Sequence, residues 1–105
     1  MKSITAEQLK SWRENNTPHQ LIDVRELYEV ETCSIGGTHI PMAEVMERHG
    51  EIRKDIPVII HCKSGRRSEA VVYELERRYG LNNVYTLVGG IMAWIEVVDH
   101  SLMKY

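Results

Sequence analysis

The chain has 105 residues, enough for one domain with one modest core, so residues 1–105 are read as a single unit. Hydrophobic residues make up 43% and charged residues 27%, the balance of a folded globular protein, and a net charge of -2 gives no support for a nucleic-acid surface. Two cysteines, Cys33 and Cys62, are too few for a disulfide framework, and the five scattered histidines offer no zinc spacing, so neither metal nor cofactor is expected. No signal-peptide segment follows Met1 and no apolar run approaches the ~20 residues that span a bilayer. The expectation is a reduced, cytoplasmic protein that binds no membrane and is by default a monomer.

Thr5-Ala6-Glu7-Gln8 has the form of a capping box, and Leu9 and Trp12 give the following helix an apolar stripe. That helix runs about three turns and stops at Asn15-Asn16-Thr17-Pro18. Gln20 to Val24 reads as a strand, with Asp23 and Arg25 where it runs out, and Glu26 to Val30 as a short helix. Ser34 to Pro41 is a glycine-containing loop with a brief strand around His39 and Ile40. Met42 to His49 reads as a helix closed by Gly50, with Pro57 marking the next boundary.

The chain is organised around the stretch from Val58 to Ser68. Val58-Ile59-Ile60 is an apolar, β-branched run typical of a buried strand. It ends at His61-Cys62, passes through Lys63-Ser64-Gly65-Arg66-Arg67, and gives way at Ser68 to a helical pattern with Val71, Val72 and Leu75 on one face. Gly80 closes that helix. Val84 to Leu87 is a further strand, Gly89-Gly90 a turn, and Ile91 to Trp94 a helical piece whose Met92 and Trp94 pack on the sheet. Asp99 to Tyr105 shows no pattern. Strands alternating with helices point to a three-layer α/β domain with a mainly parallel sheet and right-handed crossovers. In such sheets ligands sit outside the carboxyl ends of the strands, where Cys62 lies.

A thiol at a helix N-terminus among three cations is set up to ionise and to hold an anion. Gly65 lets the backbone curl so that successive N–H groups form an anion nest. Cysteine phosphatases need Cys-x5-Arg, with the arginine gripping phosphate on two sides. Counted from Cys62 that position is Ser68, and Arg67 falls one residue early, leaving the loop in another direction. The smaller bowl suits a cysteine carrying one extra sulfur. A cysteine at a strand end is by itself commonly a small core hydrophobe, and only the basic glycine loop lifts Cys62 above that. His61 should point to the opposite side of the strand as a satisfied core histidine rather than a base. Cys33 reads as structural, with resolution of an oxidised Cys62 as the alternative. Asp23 and Arg25 read as structural support, tying the strand end to the loop.

The segment Cys62-Lys63-Ser64-Gly65-Arg66-Arg67-Ser68 resembles the active-site loop of the rhodanese (sulfurtransferase) family. Asp23-Val24-Arg25, Gly37-Thr38-His39-Ile40-Pro41, and Gly89-Gly90 with Trp94 are similar to three further motifs of that family, in the same order. Cys33-Ser34 and Thr38 depart from its usual Gly-His pair and alanine. The resemblance implies a three-layer α/β/α fold with a mainly parallel five-stranded sheet. It implies that Cys62 takes a sulfane sulfur from a donor such as thiosulfate and passes it, as a persulfide, to cyanide, a thiol or a protein. Lys63, Ser64, Gly65, Arg66, Arg67 and Ser68 would then bind substrate, with Lys63 and Arg66 on the sulfonate and the loop amides on the persulfide. Arg67 alternatively turns inward to Asp23 or Glu69. A non-catalytic scaffold is the competing reading. The ending through Trp94, Val98-Asp99 and Tyr105 also looks like rhodanese domains that serve ubiquitin-like sulfur carriers, which would make the acceptor a protein.

Overall fold

The computed structural model describes residues 1–105. Its centre is a sheet of five parallel strands: β1 (Lys2–Ile4), β2 (Gln20–Asp23), β3 (Thr38–His39), β4 (Val58–His61) and β5 (Val84–Leu87), in the order β1-β5-β4-β2-β3. The helices are α1 (Ala6–Glu14), α2 (Leu27–Thr32), α3 (Arg66–Tyr79) and α4 (Gly90–Val97).

β4 is the middle strand, and its alternation builds a core on each face. Val58, Ile60 and Cys62 pack with Ile22, Val24, Val71, Val72 and Leu75 on the α3 side. Ile59 packs with Leu9, Leu21, Leu87, Ile91, Trp94 and Ile95 on the side covered by α1 and α4. This is the three-layer α/β/α arrangement, with every strand parallel. No helix is long and apolar enough to cross a membrane.

The local signals explain most elements. Thr5 Oγ1 accepts the amide of Gln8 at 3.2 Å and Gln8 Oε1 accepts the amide of Thr5 at 2.9 Å, closing the capping box of α1. Gly80 ends α3 at φ 61°, its amide bonded to the carbonyl of Glu76.

Three elements differ from the sequence expectation. β1 was not evident, because three residues carry no periodicity; Ser3 and Ile4 are strand because they pair with Thr86 and Leu87. α3 begins at Arg66 rather than Ser68, since Gly65 already turns the chain as N-cap. The segment from Met42 to His49 is not one helix but a 3₁₀ turn (Met42–Glu44) followed by turns and a second 3₁₀ piece (His49–Glu51). Its first amide is held by the Val24 carbonyl, and the His49 ring bonds the Met46 carbonyl at 2.8 Å, which a continuing helix would offer to Gly50. The tighter coil still buries Val45 and Ile52 against the sheet.

Candidate active site

β4 carries Cys62 to the carboxyl end of the sheet, between β2 and β5. Its side chain is only 1% exposed, so Sγ forms the floor of the loop that leads into α3. The amide of Gly65 donates to Sγ at 3.1 Å and that of Ser68 at 3.4 Å. Both come from the turn that starts α3, where amides have no helical partner. Gly65 reaches this geometry at φ 108°, a region that L side chains rarely adopt.

The loop is shaped from behind by α4. The amides of Ile91 and Met92 donate to the carbonyls of Cys62 (2.9 Å) and Lys63 (3.1 Å). In a trans peptide the C=O and N–H point in opposite directions. Drawing those two carbonyls towards α4 therefore turns the amides of Lys63 and Ser64 the other way, to the face that carries Cys62. Those amides, with the amides of Arg66 and Arg67, make no hydrogen bond inside the protein. This packing needs a glycine at position 90: a Cβ there would stand 2.5 Å from the carbonyl oxygens of both Cys62 and Lys63.

The other loop residues take distinct places. Ser68 is fully buried, and its hydroxyl bonds the Gly65 carbonyl (3.0 Å) and Thr86 Oγ1 (2.7 Å), and lies 3.7 Å from Sγ. Ser64 and Arg66 are exposed at the mouth, and Arg66 has no carboxylate partner. The Lys63 ammonium sits 4.4 Å above the ring of Tyr105. Arg67 turns to Glu29, rather than to Asp23 or Glu69, with two hydrogen bonds of 2.7 and 2.9 Å.

Asp23 and Arg25 form a buried ion pair at 2.7 Å. Arg25 also donates to the carbonyl of Cys33 (2.7 Å) and to the hydroxyl of Tyr105 (2.8 Å). It therefore ties β2 to the end of α2 and to the tail, and Tyr105 in turn meets the Cys62 loop through Lys63 and, by way of Glu29, Arg67. Burial alone would raise the Asp23 carboxyl; the hydrogen bonds from Arg25 and the nearby His61 bring it below its usual value. The Arg67 hydrogen bonds hold Glu29 down to about 2, against burial. Burial, with Glu29, pushes the Tyr105 hydroxyl up to about 12.

His61 is fully buried beside Cys62 in sequence, yet neither ring nitrogen has a hydrogen-bond partner. It is thus not the satisfied core histidine expected: its Nε2 lies 3.7 Å from Asp23 Oδ2, an oxygen already committed to Arg25. Burial drives its pKa down to about 4, with Asp23 opposing. Cys33 is buried in the cluster on the α1/α4 side, whereas Cys62 belongs to the cluster on the α3 side, and both are free thiols.

Glu29 and Tyr105 are the site residues that sequence reasoning missed. Their partners lie 38 and 76 residues away in the chain, so no local pattern points to them. The one sizeable cleft, about 470 Å³ between Trp12, Arg13, His19 and Ile35, includes no residue of the Cys62 loop. No three His, Cys, Asp or Glu side chains gather as a metal-binding group.

Comparison with known proteins gives a consistent family. The rhodanese-like domain profile matches residues 5–97. The chain is 38% identical over 95 residues to the uncharacterised protein YqhL of Bacillus subtilis (strain 168), covering 90% of this chain and 72% of that one. It is 33% identical over 96 residues to the adenylyltransferase and sulfurtransferase MOCS3 of Drosophila yakuba, covering 84% of this chain and spanning 21% of that much longer protein. A crystal structure of a rhodanese-like domain protein from Staphylococcus aureus superposes with a TM-score of 0.82 at 31% identity, covering 100% of this chain and 99% of that one. With its fold and its sequence in agreement, the chain belongs to the rhodanese-like domain family.

Proposed function

We propose that the protein is a sulfurtransferase working through a persulfide on Cys62. The observation that carries this reading is the pair of amides, from Gly65 and Ser68, donating to Sγ on the floor of the loop. In the first half-reaction the Cys62 thiolate attacks the outer sulfur of a donor such as thiosulfate. The Sγ–S bond forms, the donor S–S bond breaks, and sulfite leaves with the electron pair. The transferred sulfur then lies among the unpartnered amides of Lys63, Ser64, Arg66 and Arg67, which oppose its charge as an oxyanion hole would. In the second half-reaction a thiophilic acceptor (cyanide in an assay, a thiol or protein in a cell) attacks that sulfur and regenerates the thiolate. Lys63 and Arg66, at the mouth, attract the donor's sulfonate.

Phosphoryl transfer fits less well, because Ser68 stands where the gripping arginine is required and its hydroxyl is committed to Gly65 and Thr86. A scaffold would need neither an ordered nucleophile nor free amides around it. The resemblance of the tail to rhodanese domains that serve ubiquitin-like sulfur carriers favours a protein as the acceptor, and the relative MOCS3, named a sulfurtransferase, supports sulfur transfer itself. Thiocyanate formation from thiosulfate and cyanide tests the reading: wild type should turn over and Cys62→Ser should not. Equal rates in the two proteins would place the nucleophile elsewhere.

A further inference from the structure

The three cations of the loop are not equivalent. Arg67 spends both terminal nitrogens on Glu29, at 2.7 and 2.9 Å, and makes no hydrogen bond to Sγ. Glu29 cannot follow Arg67 towards the bowl. It is 3% exposed, accepts the Glu26 amide at 3.1 Å on its own helix, and accepts the Tyr105 hydroxyl at 2.8 Å. Tyr105 is in turn held by Arg25, which is locked to Asp23. The clamp is thus backed by a chain of charge-assisted bonds that ends in the buried Arg25–Asp23 pair. Lys63 is drawn over the Tyr105 ring, leaving Arg66 as the one loop cation with neither a carboxylate nor an aromatic partner.

Resting on the sulfurtransferase reading, we propose that Glu29 is a specificity-determining residue. By holding Arg67 out of the bowl, it weights the site against doubly charged donors such as thiosulfate and towards persulfides of small thiols. With a persulfide R–S–SH, the Cys62 thiolate attacks the terminal sulfur. The Sγ–S bond forms, the donor S–S bond breaks, R–S⁻ leaves with the electron pair, and the proton stays on the transferred sulfur. The leaving group carries one charge, where sulfite carries two, so it asks less of the missing cation. Neutral amides suffice for the sulfur itself.

The test uses Glu29→Gln, which frees Arg67, and the charge-neutral double variant Glu29→Gln/Arg67→Met. Thiosulfate binding is measured by calorimetry in a Cys62→Ser background, where no turnover occurs. Glu29→Gln should bind thiosulfate about fivefold more tightly, the modest gain of one half-exposed cation, and the double variant should return to within about twofold of the parent. With Cys62 restored, the ratio of kcat/KM for thiosulfate to that for 2-mercaptoethanol persulfide should rise by a similar factor in Glu29→Gln. Unchanged or weaker thiosulfate binding in Glu29→Gln would overturn the proposal. So would a loss of more than about fivefold in the double variant, which would mean that Arg67 already grips the anion. If Glu29→Gln does not fold, the double variant decides alone, since it removes both charges together and leaves neither without its partner. Absence of a persulfide in wild type with either donor would defeat the sulfurtransferase reading, while the binding arm would still decide the role of Glu29.

Discussion

The amide of Ile91 donates a 2.9 Å hydrogen bond to the carbonyl oxygen of Cys62, so the last helix sets the direction of the peptide that follows the candidate nucleophile. The contact depends on Gly90, whose φ of 60° and missing Cβ let α4 approach the loop. Gly65 has a positive φ too, but a Cβ there would find its nearest neighbours at 3.6 and 3.7 Å, ordinary contact distances.

The two glycines should therefore respond differently to alanine. Gly65→Ala meets backbone strain alone and should cost about 1–2 kcal/mol. Gly90→Ala adds a clash with two carbonyls and should cost roughly 3 kcal/mol or more, displacing the loop and abolishing sulfur uptake. Urea unfolding of both variants checks this, and equal stabilities would mean that α4 does not brace the loop.

Lys63 and Arg66 are the loop cations without a carboxylate partner. Replacing both by Ala should raise the KM for thiosulfate about five- to tenfold with a smaller change in kcat, as expected for partly screened charges acting on binding. Steady-state kinetics decides, and an unchanged KM would remove them from donor binding.

Acid should weaken the fold in two steps. His61 falls from 6.5 in a free chain to about 4 in the fold, so between those values the unfolded chain binds the extra proton and stability drops as pH falls. A shift of that size corresponds to roughly 3 kcal/mol. Glu29, lowered from 4.5 to about 2, adds a second loss as pH falls through that lower window. Denaturant midpoints measured from pH 7 to 4 should slope downwards in wild type and flatten in His61→Asn. An equal slope in both would assign the acid sensitivity to other groups.

Cys33 and Cys62 belong to cores on opposite faces of the sheet. Cys33→Ser should therefore leave steady-state turnover under reducing conditions near the wild-type level. A collapse of activity without loss of folding would bring Cys33 into the cycle.

Much of this architecture is legible locally. Val58-Ile59-Ile60 had to be a buried central strand, and a strand–Cys–glycine turn–helix run indicates where Cys62 sits and that loop amides face it, though not that the Ser68 amide joins Gly65 on Sγ. What stays hidden depends on partners far along the chain. Lys2–Ile4 is a strand only because β5 offers an edge. The Met42–Glu51 segment has helical composition, yet anchoring by Val24 and the His49 ring tightens it into 3₁₀ pieces. Arg67 could be seen to leave the loop, but nothing near it in sequence names Glu29, and the patternless tail gives no sign that Tyr105 joins Glu29 to Arg25.

The most direct test is the intact mass of the reduced protein before and after thiosulfate, with Cys62→Ser alongside. The persulfide cycle predicts a gain of one sulfur atom on wild type only, lost again on adding cyanide. No gain on wild type with thiosulfate or a small persulfide, or an equal gain on Cys62→Ser, would contradict it.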